Sequence, residues 1–598
     1  MKIKEEYRRY IMWAAIGVLY IICFKLVLNS GYMYDDMWSY PDKGMALLED
    51  TTIGALVLKS IKRYATGVGR ILIFSFYSNF LLCYLPRFVY KLVIVTAMFL
   101  DGIVLGGIIK DLTGSEKLTY LTAVIFPACV SLRASYFNGV YGFHGLVQFC
   151  LLTVLLAVYF YIRYRKTEKV RYQVFSCIFW FISLGLYEVS YALCVCFIAA
   201  LICIDGWEYV RKHFWKSVKT GLPQIIIMIM WCVANVVARH FADHVYDGTA
   251  PSLNPASVII TFLKQCTGSF GFGAALVDLR QNGIRETLSF IKTSVGFFEI
   301  ISYVLLFVCI LYVLLKIKDA EKISLKGMAV FGALLIVFPS ILIGISMKYQ
   351  EEVGWFVGYI PQYFGSWGVA LILAVIIIAI GRKYVADRRA FLVVNIIAAV
   401  IITGTFAFDS IMGKASVYDI NNFYQSDTDA VRDSIAAGLF DDIDDEYVLD
   451  TSYALYTLDP ECTARCYATW LNRKCNVVGW DDIYEDKGES TQLNQTYDTM
   501  KRKGFKATNH SINQYVLLAD CNDLQLDMAD GEYQYKLFTS GMEMFVYNGN
   551  PTVFQCTDIN GNTVVIDLTQ ADIVKSGKKG IIYRFVFDRD IDINSVEF

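Results

Sequence analysis

Two acids stand side by side at Asp35 and Asp36, in the stretch NSGYMYDDMWSYPDKG that follows the first long apolar run of the chain. Adjacent carboxylates repel each other and are costly to hold near hydrocarbon. Three tasks suit such a pair. It can cap the helical segment that starts at Met37, hold a divalent cation such as Mg or Mn, or divide proton-transfer work, one acid being raised in pKa by its neighbour. Further ionisable and polar groups sit at the ends of apolar runs. Arg70 precedes the run 71–85, Arg87 with Lys91 opens the next, and Arg133 closes another with His144 just beyond. Glu188 lies between two apolar halves, and Lys348, Tyr349 and Gln350 follow a later run. Singly, such groups snorkel or stay solvated. Gathered on one face, they would line a polar cavity within a membrane. The chemistry they suit needs an anionic amphipath and a hydroxyl acceptor. Cations hold a phosphate and stabilise it as it leaves, while a carboxylate deprotonates or orients the acceptor.

The common signatures of soluble enzymes are missing. The chain has no Gly-rich phosphate loop ending in Lys-Ser/Thr, no His-Glu-x-x-His and no Gly-x-Ser-x-Gly. Its five histidines (144, 213, 240, 244 and 510) are too few and too scattered for a His-rich metal site. Eleven of the sixteen cysteines, from Cys23 to Cys309, fall mostly inside apolar runs, where Cys behaves as a small hydrophobe. Cys462 and Cys466 have a ligand-like spacing, but no second pair completes a zinc set, so buried thiols or one disulfide are expected there.

The elements that position these groups are set by composition. Of 598 residues, 56% are hydrophobic and 18% charged, where a soluble domain carries about a quarter charged residues. Mean hydropathy is +0.44. Forty Tyr, forty Phe and ten Trp suit packed membrane helices and interfacial belts. The net charge of -2 points to neither nucleic acid nor strong attraction to anionic lipid by the chain as a whole. The first apolar run lacks a small-residue cleavage site and reads as a signal anchor.

Apolar runs of spanning length lie at 10–29, 86–109, 117–134, 143–163, 220–241, 296–317, 325–345, 360–381 and 388–407, and a longer one at 173–204. Basic segments at 1–9, 163–171, 211–219, 316–326 and 382–389 all fall on the cytoplasmic side only if 70–85 does not cross and 173–204 crosses twice. This predicts about eleven spans, with the N-terminus cytoplasmic and the C-terminus extracytoplasmic. The candidate residues then share the outer face. In the first external loop, 30–85, Ile53, Leu56, Val57, Ile61 and Tyr64 form an apolar helical stripe with Lys59, Lys62 and Arg63 off it. That pattern predicts an interfacial helix, docked with snorkelling cations or holding lipid phosphate. From about residue 410 the composition turns polar, and short apolar strands bounded by Gly, Asn and Asp predict a soluble α/β or α+β domain over 410–598. Trp470 and Trp480 there are read as core rather than as sugar-stacking platforms.

The N-terminal span, the acid pair in the first external loop, and Gly69-Arg70 before an apolar stretch together resemble the GT-C superfamily of polytopic membrane glycosyltransferases. The turn SYFNGVYGFHG, Glu188 after LGLY, and SMKYQ before an aromatic loop add to the resemblance. It implies a GT-C-like membrane domain over 1–409, a bacterial cell membrane, and a polyprenyl-phosphate-linked sugar donor with a glycan, polymer or lipid acceptor. By role, Asp35 and Asp36 match the catalytic acid position, with which of the two is the base left open. Arg70, Arg87, Arg133 and Lys348 are placed as donor-phosphate or lipid contacts, and His144, Glu188, Tyr349 and Gln350 as pocket candidates. The turn departs from many relatives in carrying Tyr136, Tyr141 and Phe143 where a Trp is expected. Two other readings stand beside this one. A lipid-linked glycan flippase or transporter would place charge near mid-span, where Asp101 is the one named exception. A surface-polysaccharide polymerase or ligase would draw on the loop 242–292 with Arg280 and Arg285.

Overall fold

The computed structural model describes residues 5–244, 246–320, 325–436, 448–449, 460–473 and 477–478, and in the C-terminal part 532–538, 541–548, 553–558, 560–567, 570, 572–577, 580–586 and 591–597. Two compact units result. One comprises Met1–Asp36 with Val57–Ile420, the other Met37–Leu56 with Asn421–Phe598.

In the first unit the apolar runs fold as helices because a bilayer leaves the backbone no other partner for its N–H and C=O groups. Among the described residues, eight helices are long and apolar enough to cross a membrane: Arg87–Thr113, Phe143–Thr167, Glu188–Asp205, Phe214–His240, Phe297–Lys316, Leu325–Ile345, Gln362–Lys383 and Arg388–Tyr418. The chain is a multi-pass membrane protein. The expected run 173–204 is split at Tyr187, an extended residue (φ -155°, ψ 136°), into Val170–Leu186 and a second helical stretch that begins at Glu188. Within 70–85 the longest helix is Tyr77–Tyr84, too short to cross a bilayer.

Two expected spans differ in form. The run 10–29 is the helix Glu5–Cys23, interrupted at Phe24 and resumed as Lys25–Asn29. The run 117–134 makes only the ten-residue helix Glu116–Ile125 and a 3-10 turn over Phe126–Ala128. Pro127 denies the backbone a donor there, and every residue of Lys117–Ala128 is buried.

The centre of the unit is aromatic. Phe126 stacks on Trp367 at 3.7 Å between centroids, and Tyr363 meets Phe126 edge-on. Asp101, fully buried on Arg87–Thr113, accepts the Tyr363 hydroxyl at 2.6 Å. Small residues let helices approach closely, as is usual between membrane helices. A Cβ on Gly332 would stand 2.8 Å from the Gly368 carbonyl oxygen. The loop 30–85 carries the expected amphipathic helix, Ile53–Gly67, with Ile53 and Leu56 buried and Lys59, Lys62 and Arg63 exposed.

The second unit joins the loop segment 37–56 to the C-terminal residues. Helix Asp42–Leu48 packs on Pro460–Leu471, and the Gly44 N–H donates to Thr469 Oγ1 at 2.9 Å. The strands are mostly antiparallel. Glu532–Phe538 pairs with Gly541–Asn548, which pairs with Gly580–Val586 and through it with Asp572–Gly577; Val553–Asp558 lies between Thr563–Asp567 and Ile591–Glu597. Val448–Leu449 and Val477–Val478 pair in parallel. The expected helix at 427–439 is, over its described part, the end of a continuous helix Arg388–Ala436. Trp470 lies 6.4 Å from the Tyr40 ring and Cys466 is buried. Trp480, Cys475, Cys521 and His510 lie outside the described residues.

Candidate functional site

The acid pair opens a one-turn helix, Asp35–Ser39. It therefore sits inside the first turn and does not cap a helix that begins at Met37. The two acids have opposite surroundings. Asp36 is shut from solvent, and its Oδ2 receives Lys91 Nζ at 3.2 Å. Its Oδ1 receives the His144 backbone N–H at 2.8 Å and lies 3.2 Å from His144 Nδ1. Lys91 completes its own shell on the Tyr141 carbonyl at 2.7 Å. The turn that presents His144 is unusual, since Phe143, His144 and Gly145 all have positive φ (61°, 56° and 69°). Left-handed backbone at two successive non-glycine residues costs energy, and here it aims the His144 N–H at Asp36. Burial alone would push the Asp36 carboxyl up, but Lys91 and the His144 contacts outweigh it and hold the group below the usual carboxylate range.

Asp35 is half-buried and accepts no hydrogen bond among the described residues. Its carboxyl is raised. Burial is the chief cause, His144 opposes it, the Asp36 charge adds to it, and Lys348 opposes it again. The pair is thus one acid consumed by structure and one left available. It does not suit a divalent cation, because both oxygens of Asp36 already face Lys91 and His144. Among the described residues no cluster of three His, Cys, Asp or Glu side chains has the proximity of a metal site.

A cavity of about 350 Å³ is lined by Arg70, Glu188, Asn235, Arg239, Tyr246 and Tyr349, among others. Gly69 brings Arg70 there. Its φ is +69°, and a Cβ would stand 2.8 Å from the Arg239 Cα, so only glycine lets this loop touch the end of Phe214–His240. Arg70 forms a two-pronged pair with Glu188, Nε to Oε1 at 2.6 Å and Nη2 to Oε2 at 2.8 Å. Burial would lower the guanidinium pKa, yet the Glu188 charge overrides it and raises the value. The Tyr246 ring sits under the Arg70 guanidinium at 4.4 Å, and Lys348 Nζ lies 5.5 Å from the same ring. Tyr246 and Tyr349 hydroxyls are 3.4 Å apart, and the Tyr349 and Tyr359 ring centroids lie 4.2 Å apart with their planes tilted by 34°. Lys348 links the two clusters, since its charge reaches both Asp35 and the aromatic wall.

The expected site residues therefore separate. Asp35, Asp36 and His144 come together; Arg70, Glu188 and Tyr349 meet in the cavity beside Lys348. The Arg70 charge is already met by Glu188. Arg133 pairs with Asp278 at 2.9 Å, and Gln350 clamps backbone, donating to Ser252 and Gly344 carbonyls at 3.0 and 2.9 Å. Arg87 starts the helix that carries Lys91, one turn before it. Arg280 and Arg285 are exposed. Lys91 was named from sequence as a cation one turn inside an apolar run, without a role at the acid pair. Two contributors were not singled out from sequence. Arg239 and Tyr246 had no signal beyond ending a span and beginning a loop. Arg239 lines the cavity and forms no ion pair among the described residues.

No protein-family model matches the chain, and no curated protein matches it. Among solved structures it is similar to the crystal structure of ArnT from Cupriavidus metallidurans in the apo state, at 10% identity and a TM-score of 0.35, over 97% of this chain and 98% of that one.

Proposed function

We propose that this protein is a membrane glycosyltransferase that moves a sugar from a polyprenyl-phosphate carrier to an acceptor hydroxyl on a glycan, polymer or lipid, with Asp35 as base. One observation carries the reading. Of two adjacent acids, one is locked by Lys91 and His144, while the other is half-open, raised in pKa, and within the field of Lys348 beside a cavity that contains Arg239.

In the proposed step the Asp35 carboxylate takes the proton of the acceptor hydroxyl, and that oxygen attacks the anomeric carbon. The bond from this carbon to the phosphate oxygen breaks, and the electron pair leaves with the carrier phosphate. Lys348 and Arg239 neutralise the growing negative charge. Arg70 orders the wall, because Glu188 holds it in place. The leaving group carries a single phosphate, so its charge is within the reach of two side-chain cations. Asp36 acts through its neighbour: its fixed negative charge keeps the Asp35 carboxyl raised, towards the basicity a general base needs at neutral pH. This reading carries with it the orientation argued from the basic segments, with Asp35 on the extracytoplasmic face of a bacterial cell membrane.

The test is sugar transfer by the purified protein from a panel of radiolabelled polyprenyl-phosphate hexoses, beside Asp35→Asn and Asp36→Asn. Turnover in the wild type that vanishes in a folded Asp35→Asn protein with lipid binding retained is the expected result. Equal turnover in Asp35→Asn and wild type would sink the assignment.

A further inference from the structure

The helices around Phe214–His240 hold a second cavity, of about 290 Å³, that the proposed chemistry does not use. Its wall is apolar, formed by Tyr161, Trp180, Phe197, Val210, Phe214 and Met228 among others. It lies on a lipid-facing side, since only 11% of the span window of Phe214–His240 is buried in the protein. The polar side chains that line this cavity are, with one exception, partnered. Gln224 donates to Ser176 Oγ at 2.9 Å and accepts from Gln173 at 3.2 Å, while Tyr161 and Thr220 hydroxyls lie 3.0 Å apart. Ser217 is the exception. Ser217 lines the cavity and is 5% exposed, and its buried hydroxyl has no partner among the described residues.

Around Ser217 the chain changes character. Arg211, Lys212, Lys216 and Lys219 are all exposed and form no ion pair among the described residues. Glu208 is the one exposed acid of this stretch, because Asp205 is taken up by Arg165 at 2.7 Å. Trp207 and Trp215 stand exposed on either side, as aromatic residues do at headgroup depth. Ser217 thus sits inside a basic stretch, with Arg211, Lys212 and Lys216 before it and Lys219 after it, and the cavity lining runs from Val210 and Phe214 through Ser217 to Met228, roughly 16 Å of helix beyond Ser217.

Exposed cations, one hydroxyl without a partner and an apolar cavity in the same stretch match the parts of one glycerophospholipid: phosphate, ester carbonyl, acyl chain. We propose that this cavity is a binding site for an anionic phospholipid, with the phosphate on Arg211, Lys212, Lys216 and Lys219, an ester carbonyl accepting the Ser217 hydroxyl, and one acyl chain in the cavity. The occupant is anionic because the stretch that carries the lining residues Val210, Phe214 and Ser217 also carries four exposed cations without an ion pair among the described residues, against one exposed acid, Glu208. It is argued to be a lipid because the wall behind the hydroxyl has no other polar group without a partner among the described residues. This site is independent of the transferase reading.

The test uses the full-length protein, stripped of lipid in detergent and titrated with phosphatidylglycerol or phosphatidylcholine of identical chains under native mass spectrometry. The first phosphatidylglycerol is expected to bind at least about tenfold tighter than the first phosphatidylcholine. R211Q/K212Q/K216Q/K219Q, which alters only exposed side chains, should abolish that preference. Gly221→Leu should weaken both lipids, because Gly221 lines the cavity and its Cβ would meet nothing nearer than the Tyr161 hydroxyl at 4.0 Å. Equal binding of the two lipids by the wild type, or an unchanged preference in the fourfold variant, would overturn the proposal. So would a polyprenyl phosphate that displaces phosphatidylglycerol and depends on the same residues, since the cavity would then belong to the sugar carrier.

Discussion

Lys91 Nζ lies 3.2 Å from Asp36 Oδ2, and neither side chain touches solvent. A buried ion pair is weak evidence for stability as such, because removing two charges from water costs about as much as their attraction returns. Its value here is directional. Lys91 and the His144 N–H fix the Asp36 carboxylate, and the negative charge so fixed stands next to Asp35. Two residues adjacent in sequence and identical in chemistry are thereby given different work.

Breaking that pair from one side should be costly. Asp36→Asn and Lys91→Met are each expected to destabilise the protein by about 3–5 kcal/mol, because each leaves a buried charge without its counterion. The double variant should lose less than the two singles together. Thermal unfolding in detergent or nanodiscs measures all three, and strict additivity would show that the two groups do not interact.

Asp35 is expected to behave in the opposite way. Asp35→Asn should reduce glycosyl transfer by about 10²–10⁴-fold, the usual worth of a positioned general base, while the unfolding temperature stays at the wild-type value. A large fall in stability with residual turnover unchanged would place Asp35 in the structural role instead.

The pH dependence follows from the two opposite shifts. Asp35 must be ionised to act, and its carboxyl is raised, so kcat/KM should fall with acidification at a pH above the ordinary Asp value of about 3.9. Lys348→Gln removes a charge that opposes the rise, and should move this limb to higher pH. Asp36 is depressed, so its contribution to stability is complete above about pH 3.9 and is lost as pH falls through its folded pKa. Activity should therefore fail at a higher pH than the fold does. A pH–rate profile and a pH–melting series on the same preparation measure this, and coincident midpoints would contradict it.

In the cavity, Arg239 and Arg70 should separate by phenotype. Arg239→Gln removes a cation that has no ion pair among the described residues, and is expected to raise the donor KM by about tenfold or more, as for a lost charge-assisted contact. Arg70→Gln leaves Glu188 without its partner and should chiefly lower the melting temperature, with R70Q/E188Q regaining part of it. Steady-state kinetics with the donor varied, beside melting curves, distinguish the two outcomes.

In the second unit, Gly44→Val should pry helix Asp42–Leu48 off Pro460–Leu471. A Cβ at Gly44 would stand 2.7 Å from the Thr469 backbone nitrogen, and overpacking of this kind costs about 1–3 kcal/mol. Limited proteolysis of the full chain should then cut the C-terminal residues faster than in wild type. An unchanged digestion pattern would show that the contact does not hold that unit together.

The course of the membrane helices was legible in the sequence because hydropathy is a local property. The apolar runs at 220–241, 296–317, 325–345 and 360–381 fold as Phe214–His240, Phe297–Lys316, Leu325–Ile345 and Gln362–Lys383. The stripe from Ile53 to Tyr64 forms the helix its 3.6-residue period requires. The unusual adjacency of Asp35 and Asp36 was equally plain. What sequence order could not carry was which charge meets which. Asp36 finds Lys91 55 positions away and His144 108 away; Arg70 finds Glu188 across 118 positions, and Arg133 finds Asp278 across 145. No periodicity extends over such separations, and a cation at the end of a span looks the same whether it is free or neutralised. The packing of helices brought Lys91 and His144 onto Asp36 and left Asp35 open. Burial then set the two carboxyls apart, because the cost of a charge depends on the partners that three-dimensional packing places within a few ångströms of it.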